Sequence, residues 1–184
     1  MTKTEQQFKE NIEICTDIFR KKTKDYGTAW RILRTSSLTD QIFIKANRIR
    51  SIEEKGEQKI QEDIREEFIA IVNYSVMAII QLFHKQDSTI SDFKMPIDEV
   101  MALYTKYLIA AKDLMLNKNH DYGEAWRDMR ISSLTDIILM KLLRLKQIED
   151  NEGKTIISEG PEGSYNDMIN YAMFALIKLS EKQK

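Results

Sequence analysis

The chain has 184 residues, 42% of them hydrophobic and 31% charged, with only six glycines and two prolines, a composition that fits a globular helical protein better than a disordered or all-β one. Its 28 basic and 29 acidic side chains leave a formal net charge of -1, so no global positive field draws a nucleic-acid polymer or an anionic membrane, although a local basic pocket is compatible with it. The N-terminus, MTKTEQQFKENIEIC, lacks the apolar core of a signal peptide, and apolar runs are expected to fall short of the roughly 20 residues of a membrane span, which makes the cytoplasm the expected compartment.

Taken in chain order, Phe8, Ile12, Cys15 and Phe19 recur at helical spacing and predict a first helix with one buried face. Cys15, the single cysteine, cannot form an intrachain disulfide and reads as a small buried hydrophobe. Asp25-Tyr26-Gly27 ends this helix, the glycine being suited to a left-handed cap, and Ala29-Trp30-Arg31 restarts the chain. Ser36 and Ser37 are expected to cap a second helix running to about residue 54. A polar connection through Gly56 leads to a third, ending near residue 85. Residues 87–96 read as a linker, and Pro96 followed by Asp98 and Glu99 as a helix start. Val100, Leu103, Tyr107, Ala110 and Leu114 then predict the buried face of a fourth helix. Gly123 and the Ser132-Ser133 pair punctuate the chain as before, and a fifth helix runs to about residue 150. A loop with Gly153, Gly160, Pro161 and Gly163 precedes a sixth, ending near residue 182.

Self-similarity organises this series. Residues 24–40, KDYGTAWRILRTSSLTD, match residues 120–136, HDYGEAWRDMRISSLTD. The match continues through Lys45 and Arg48 against Lys141 and Arg144, and, after a loop one residue longer, through Asn73-Tyr74 against Asn170-Tyr171. The expected fold is therefore all-α: two tandem three-helix repeats, residues 1–86 and 97–184, with pseudo-twofold symmetry and the third helices near a shared core. Such a chain imitates a homodimer by itself, and a further homo-oligomer stays open.

Several groups could carry chemistry. Lys45 with Arg48, and Lys141 with Arg144, lie on one helix face and could grip a phosphate, the lysine as a point charge and the arginine as a fork; a solvated surface is the alternative. Counting back eleven, seven and three residues from the Asn-Tyr pairs gives Glu62, Glu66 and Ala70 in one copy and Glu159, Gly163 and Asp167 in the other. Steps of four put these on one stripe, where Glu62 and Glu66, or Glu159 and Asp167, could bind Mg²⁺; an acidic first turn favoured by the helix dipole is the bland reading. Asn73 and Asn170, inside apolar runs, need buried partners. Tyr26, Trp30, Tyr122 and Trp126 could border a base, with Arg31 and Arg127 reaching a phosphate, or could plug the bundle end. Neither His84 nor His120 is repeated between the copies.

The DYGxAWR segments, the Lys-Arg pairs and the acids before Asn-Tyr resemble the nucleotide-modification-associated domain family of bacteria and phages, over nearly the whole chain as two copies. The resemblance implies nucleotide metabolism. Its helical layout is similar to MazG-type all-α nucleoside triphosphate pyrophosphohydrolases, which implies Mg²⁺ as cofactor and a small nucleotide as partner, without a nucleic-acid polymer or a membrane. On that reading Glu66 and Glu62 are catalytic, Glu62, Glu66, Glu159 and Asp167 bind metal, and the lysines, arginines and aromatics named above bind substrate. Ala70 and Gly163 depart from the family's acid pattern. The alternatives are a nucleotide-binding module without catalysis and a structural helical bundle.

Overall fold

The computed structural model describes residues 1–56, 63–85 and 93–182. Among them there are six α-helices and no strand. Helix α1 spans Lys3–Tyr26, α2 Thr35–Lys55 and α3 Ile64–His84; α4 spans Ile97–Tyr122, α5 Ile131–Asp150 and α6 Pro161–Lys182. A 3₁₀ turn follows α1 at Ala29–Ile32 and α4 at Ala125–Asp128, so each repeat is a long helix, a tight turn and two further helices.

Local chemistry sets the ends. The α1 start is a capping box, in which the Thr2 hydroxyl accepts from the Glu5 N–H (3.2 Å) and the Glu5 carboxylate accepts from the Thr2 N–H (2.5 Å). Asp63 caps α3 by accepting from the Arg65 N–H at 3.0 Å. Gly27 and Gly123 both stand at φ 64°, where a side chain would be strained, and donate to the Thr23 and Asn119 carbonyls (2.8 and 2.9 Å). Only Gly123 closes in the left-handed helical region; Gly27 has ψ -143° and leaves α1 in a different direction.

Two local expectations are corrected. The serines do not cap the second helices: the cap position falls on Arg34 and Arg130, whose carbonyls accept from Ser37 and Leu38, and from Ser133 and Leu134. The 3₁₀ turns feed directly into the helices two to three residues early, which puts both serine pairs inside the first turn. In α4 the buried face is Val100, Tyr104, Leu108, Ala111 and Met115, joined by Tyr107, and not Leu103, Ala110 and Leu114. This is the face of α1 carried over, with Tyr104 for Phe8, Ala111 for Cys15 and Met115 for Phe19. A third correction concerns α3, which is long and apolar enough by composition to cross a bilayer (mean hydropathy 1.4), with 67% of that window buried inside the bundle.

The two third helices pack against each other at the centre, and one hydrophobic cluster runs through both repeats. It includes Phe8, Phe19, Leu38, Phe68 and Ile79 from the first repeat and Tyr104, Leu134, Leu142, Tyr165 and Ile169 from the second, each fully or almost fully buried. The pseudo-twofold axis also passes between α2 and α5, where the bonds come in matched pairs. Thr39 donates to Glu149 (2.6 Å) as Thr135 does to Glu53 (2.9 Å). Asp40 pairs with Lys146 (2.8 Å) as Asp136 does with Arg50 (3.6 Å). Part of the expected linker is tied down: Thr28 donates to the Phe93 carbonyl (3.1 Å) and accepts from the Met95 N–H (3.0 Å).

Candidate functional site

Each repeat forms a cleft between the end of its first helix, its 3₁₀ turn and its third helix. The first, about 490 Å³, is walled by Phe19, Trp30, Ile69, Ala70, Tyr74 and Met77, with Lys22, Tyr26, Gln41, Glu66 and Asn73 as its polar groups. The second, about 420 Å³, is lined by the counterparts Met115, Trp126, Asp167, Tyr171 and Phe174, with Lys118, Tyr122 and Asn170, and adds Lys141. The same sequence positions therefore build two related hollows.

The 3₁₀ turns are held in place from the third helices. Gln81 donates to the carbonyls of Arg31 and Leu33 (2.7 Å each), and Lys178, at the equivalent position, donates to the Arg127 carbonyl. Fixing these turns fixes the tryptophans. Trp126 is nearly buried and stacks on Phe174 (4.3 Å between centroids, 7° between planes), whereas Trp30 is half-buried, faces Met77 rather than an aromatic ring across the cleft, and leans on Phe19 (6.5 Å, 59°). Both indole Nε1 atoms are buried without a hydrogen-bond partner among the described residues. Tyr26 and Tyr122 stand at the mouths, 65% and 76% exposed.

The charged groups sort differently from their sequence pattern. Glu67, 2% exposed, takes Arg48 at 2.9 Å and Lys45 at 3.3 Å; the second contact is an ion pair without hydrogen-bond geometry, since Glu67 Oε2 has no hydrogen-bond donor. This acid lies beside the Glu66 stripe, not on it. In the second repeat Ser164 replaces Glu67, and Lys141 turns instead to Asp167 (2.7 Å), which also binds Lys118 (3.0 Å). Burial pushes the Asp167 carboxyl up, but the hydrogen bonds from the two lysines outweigh it and hold it below the usual aspartate range. Arg144 is exposed and lines a side hollow of about 240 Å³ with Lys141, Glu159, Gly163, Ser164 and Asp167.

Two arginines expected to reach a phosphate serve the scaffold. Arg31 is buried and donates to Gln81 Oε1 and the His84 carbonyl (2.5 Å each). Arg127 lies over the Trp126 ring (4.4 Å) and joins Glu124 (2.7 Å), Thr4 (2.6 Å) and Gln7 (2.9 Å), pinning the start of α1. Neither lines a cleft.

In the second repeat the acid stripe is not arranged as the expected metal pair. Helix α6 begins at Pro161, so Glu159 precedes the helix, and its carboxylate lies against Gly163, where a Cβ would come within 2.4 Å of Glu159 Oε2. Both oxygens of Asp167 are already occupied by ammonium groups, which leaves Glu159 and Asp167 unsuited to a shared Mg²⁺. Glu66 is exposed and lines the first cleft, while Glu62 lies outside the described residues. Among the described residues no group of three or more His, Cys, Asp or Glu side chains is placed to hold a metal ion.

Sequence reasoning missed Lys22 and Lys118, Gln81 and Lys178, and saw in Glu67 only a spare acid beside the stripe, not the partner of Lys45 and Arg48. The two lysines stand two residues before the matched DYG windows at equivalent positions, so extending the alignment finds them. Glu67 carried no such signal because it is not repeated.

The family described as nucleotide modification associated domain 1 matches residues 22–82 and again residues 118–179. The chain belongs to this family. Both matches begin at the cleft lysine, Lys22 or Lys118, and run through most of the third helix, so each nucleotide modification associated domain holds most of one cleft, with Phe19 and Met115 just outside it. No curated protein and no solved structure matches the chain.

Proposed function

We propose that this protein binds a small nucleotide in a cleft of the kind that both repeats build. The observation that carries the reading is the recurrence of one lining in both: a lysine, an exposed tyrosine, a tryptophan with an unspent indole N–H, and Asn-Tyr. Hollows of this volume, apolar with a few convergent polar groups, are the usual form of a small-molecule site. A base has tyrosine faces to stack on, and a phosphate has lysine to neutralise it. The family's description, nucleotide modification, adds an association at the level of the fold. A cytoplasmic location and a free nucleotide, not a polymer, belong to the same reading.

Hydrolysis is the second reading, favoured by the presence of Glu66 in the first cleft. A thermal-shift panel of nucleoside mono-, di- and triphosphates tests binding. A ligand at 100 times its Kd stabilises by about 2.7 kcal/mol, roughly 5–10 °C for a chain of this size. Stabilisation by no member of the panel rejects the reading. Mg²⁺-dependent release of phosphate or pyrophosphate, lost in Glu66→Gln, would move the assignment from a binding module to a hydrolase.

A further inference from the structure

We infer that the second cleft carries its own anion, the Asp167 carboxylate, and that the chain therefore binds one nucleotide, in the first cleft, with a phosphate over Ala70 where Asp167 stands in the other repeat. This rests on the nucleotide-binding reading and sharpens it to one site.

The two repeats provide an internal comparison. In the second, Asp167 lines the cleft and each of its oxygens takes a lysine, Oδ1 from Lys118 (3.0 Å) and Oδ2 from Lys141 (2.7 Å). That is an anion seat with its anion covalently supplied. In the first repeat the lysines are kept, Lys22 in the cleft lining and Lys45 outside it, but the acid is Ala70, whose methyl group leaves that point of the wall without a carboxylate. Lys22 lines that cleft and has no acidic partner among the described residues. Lys45 rests near Glu67 at 3.3 Å without hydrogen-bond geometry, and Glu67 keeps Arg48 at 2.9 Å, so turning Lys45 to a phosphate leaves the buried acid paired.

The apolar walls differ in the same sense. Phe174 covers a face of Trp126 by stacking, whereas Met77 stands in its place beside Trp30. The first cleft is also the larger, about 490 against 420 Å³. Glu66, one turn before Ala70, is the carboxylate in the first lining. It orients the ligand, because it accepts from sugar hydroxyls and repels phosphate, which leaves the Lys22 and Ala70 side for the phosphate.

Titration calorimetry of the full chain with the common ribonucleoside and deoxyribonucleoside triphosphates tests this, on wild type and on Ala70→Asp, Ala70→Asn and Asp167→Ala, with thermal melts to show that each variant is folded. Wild type should bind one equivalent. Ala70→Asp, which installs the second repeat's own anion, should weaken binding at least tenfold, and Ala70→Asn, of equal size without the charge, should weaken it less. Asp167→Ala should open the second cleft and raise the stoichiometry towards two. Two equivalent sites in wild type, unchanged affinity in Ala70→Asp, or a stoichiometry of one in Asp167→Ala would overturn the inference while leaving nucleotide binding intact. No binding by wild type across the panel would reject the underlying reading instead. Should Ala70→Asp fail to fold, Ala70→Asn and Asp167→Ala still decide the matter.

Discussion

Asn73 and Asn170 hold the same place in their repeats and are equally buried, 6% exposed each, yet their amide oxygens meet different fates. Both donate from Nδ2 to the neighbouring first helix, Asn73 to the Cys15 carbonyl (3.4 Å) and Asn170 to the Ala111 carbonyl (2.9 Å). Asn73 Oδ1 then accepts from the Tyr104 hydroxyl of the other repeat at 2.6 Å, while Asn170 Oδ1 has no partner among the described residues. The pseudo-twofold mate of Tyr104 is Phe8, which lacks the hydroxyl. A buried acceptor left unpaired costs about 1–3 kcal/mol. Tyr104→Phe is therefore expected to destabilise the protein by that amount in urea unfolding, whereas Phe8→Tyr, which restores the missing donor, should raise stability by about 1 kcal/mol. A loss of stability in Phe8→Tyr would mean that the Asn170 oxygen does not face that ring edge. The sequence marks both asparagines as buried amides in need of partners; that one partner comes from the opposite repeat follows only from the packing.

At the scale of elements, α2 and α5 meet through half-buried carboxylates. Burial pushes Glu149 above the usual glutamate range, and the hydrogen bonds from Thr39 (2.6 Å) and Tyr165 (3.2 Å) oppose it only in part; burial raises Glu53 likewise. A carboxyl whose folded pKa lies above its unfolded value of 4.5 favours the folded state fully below that pH, and the contribution is lost as pH rises through the folded value. The ionised form at neutral pH thus works against this helix pair. Glu149→Gln keeps an acceptor oxygen for Thr39 and removes the charge, so its Tm should exceed that of wild type at pH 7. The advantage should shrink as pH is lowered towards 4.5, which melting curves of both proteins across that range would reveal. A constant difference across the range would mean that the effect is packing and not charge. Asp167 has the opposite sign: its pKa is lowered from 3.8, so its contribution is present above that value and is lost only in stronger acid.

At the scale of the whole molecule, the repeats are not independent beads. α3 and α6 form the centre, and every residue of the α3 stretch Ile71–Asn73 and Ser75–Val76 is buried, as is Ala172–Ile177 of α6. Either half alone would expose most of the face that the other covers, an apolar area larger than a soluble monomer usually shows. Residues 1–86 and 97–184 expressed separately should therefore lack cooperative melting as monomers, and mixing them should restore helicity and a sharp transition. Two halves that each melt cooperatively as monomers would show two autonomous domains.

The sequence by itself determined the fold class, the duplication, the helix ends set by glycine and proline, and the repeated tyrosines and tryptophans that border the clefts, because helical period, turn chemistry and internal repetition are properties of the chain read locally. Tertiary structure decided which charges meet. Glu67 takes Lys45 and Arg48, Asp167 takes Lys118 and Lys141, and Arg31 and Arg127 go to the scaffold, since ion pairing depends on distances between different helices. A one-residue shift in α4, or a helix that starts at Pro161 after an acid and not before it, changes no sequence pattern but moves a side chain by a quarter turn or out of the helix altogether.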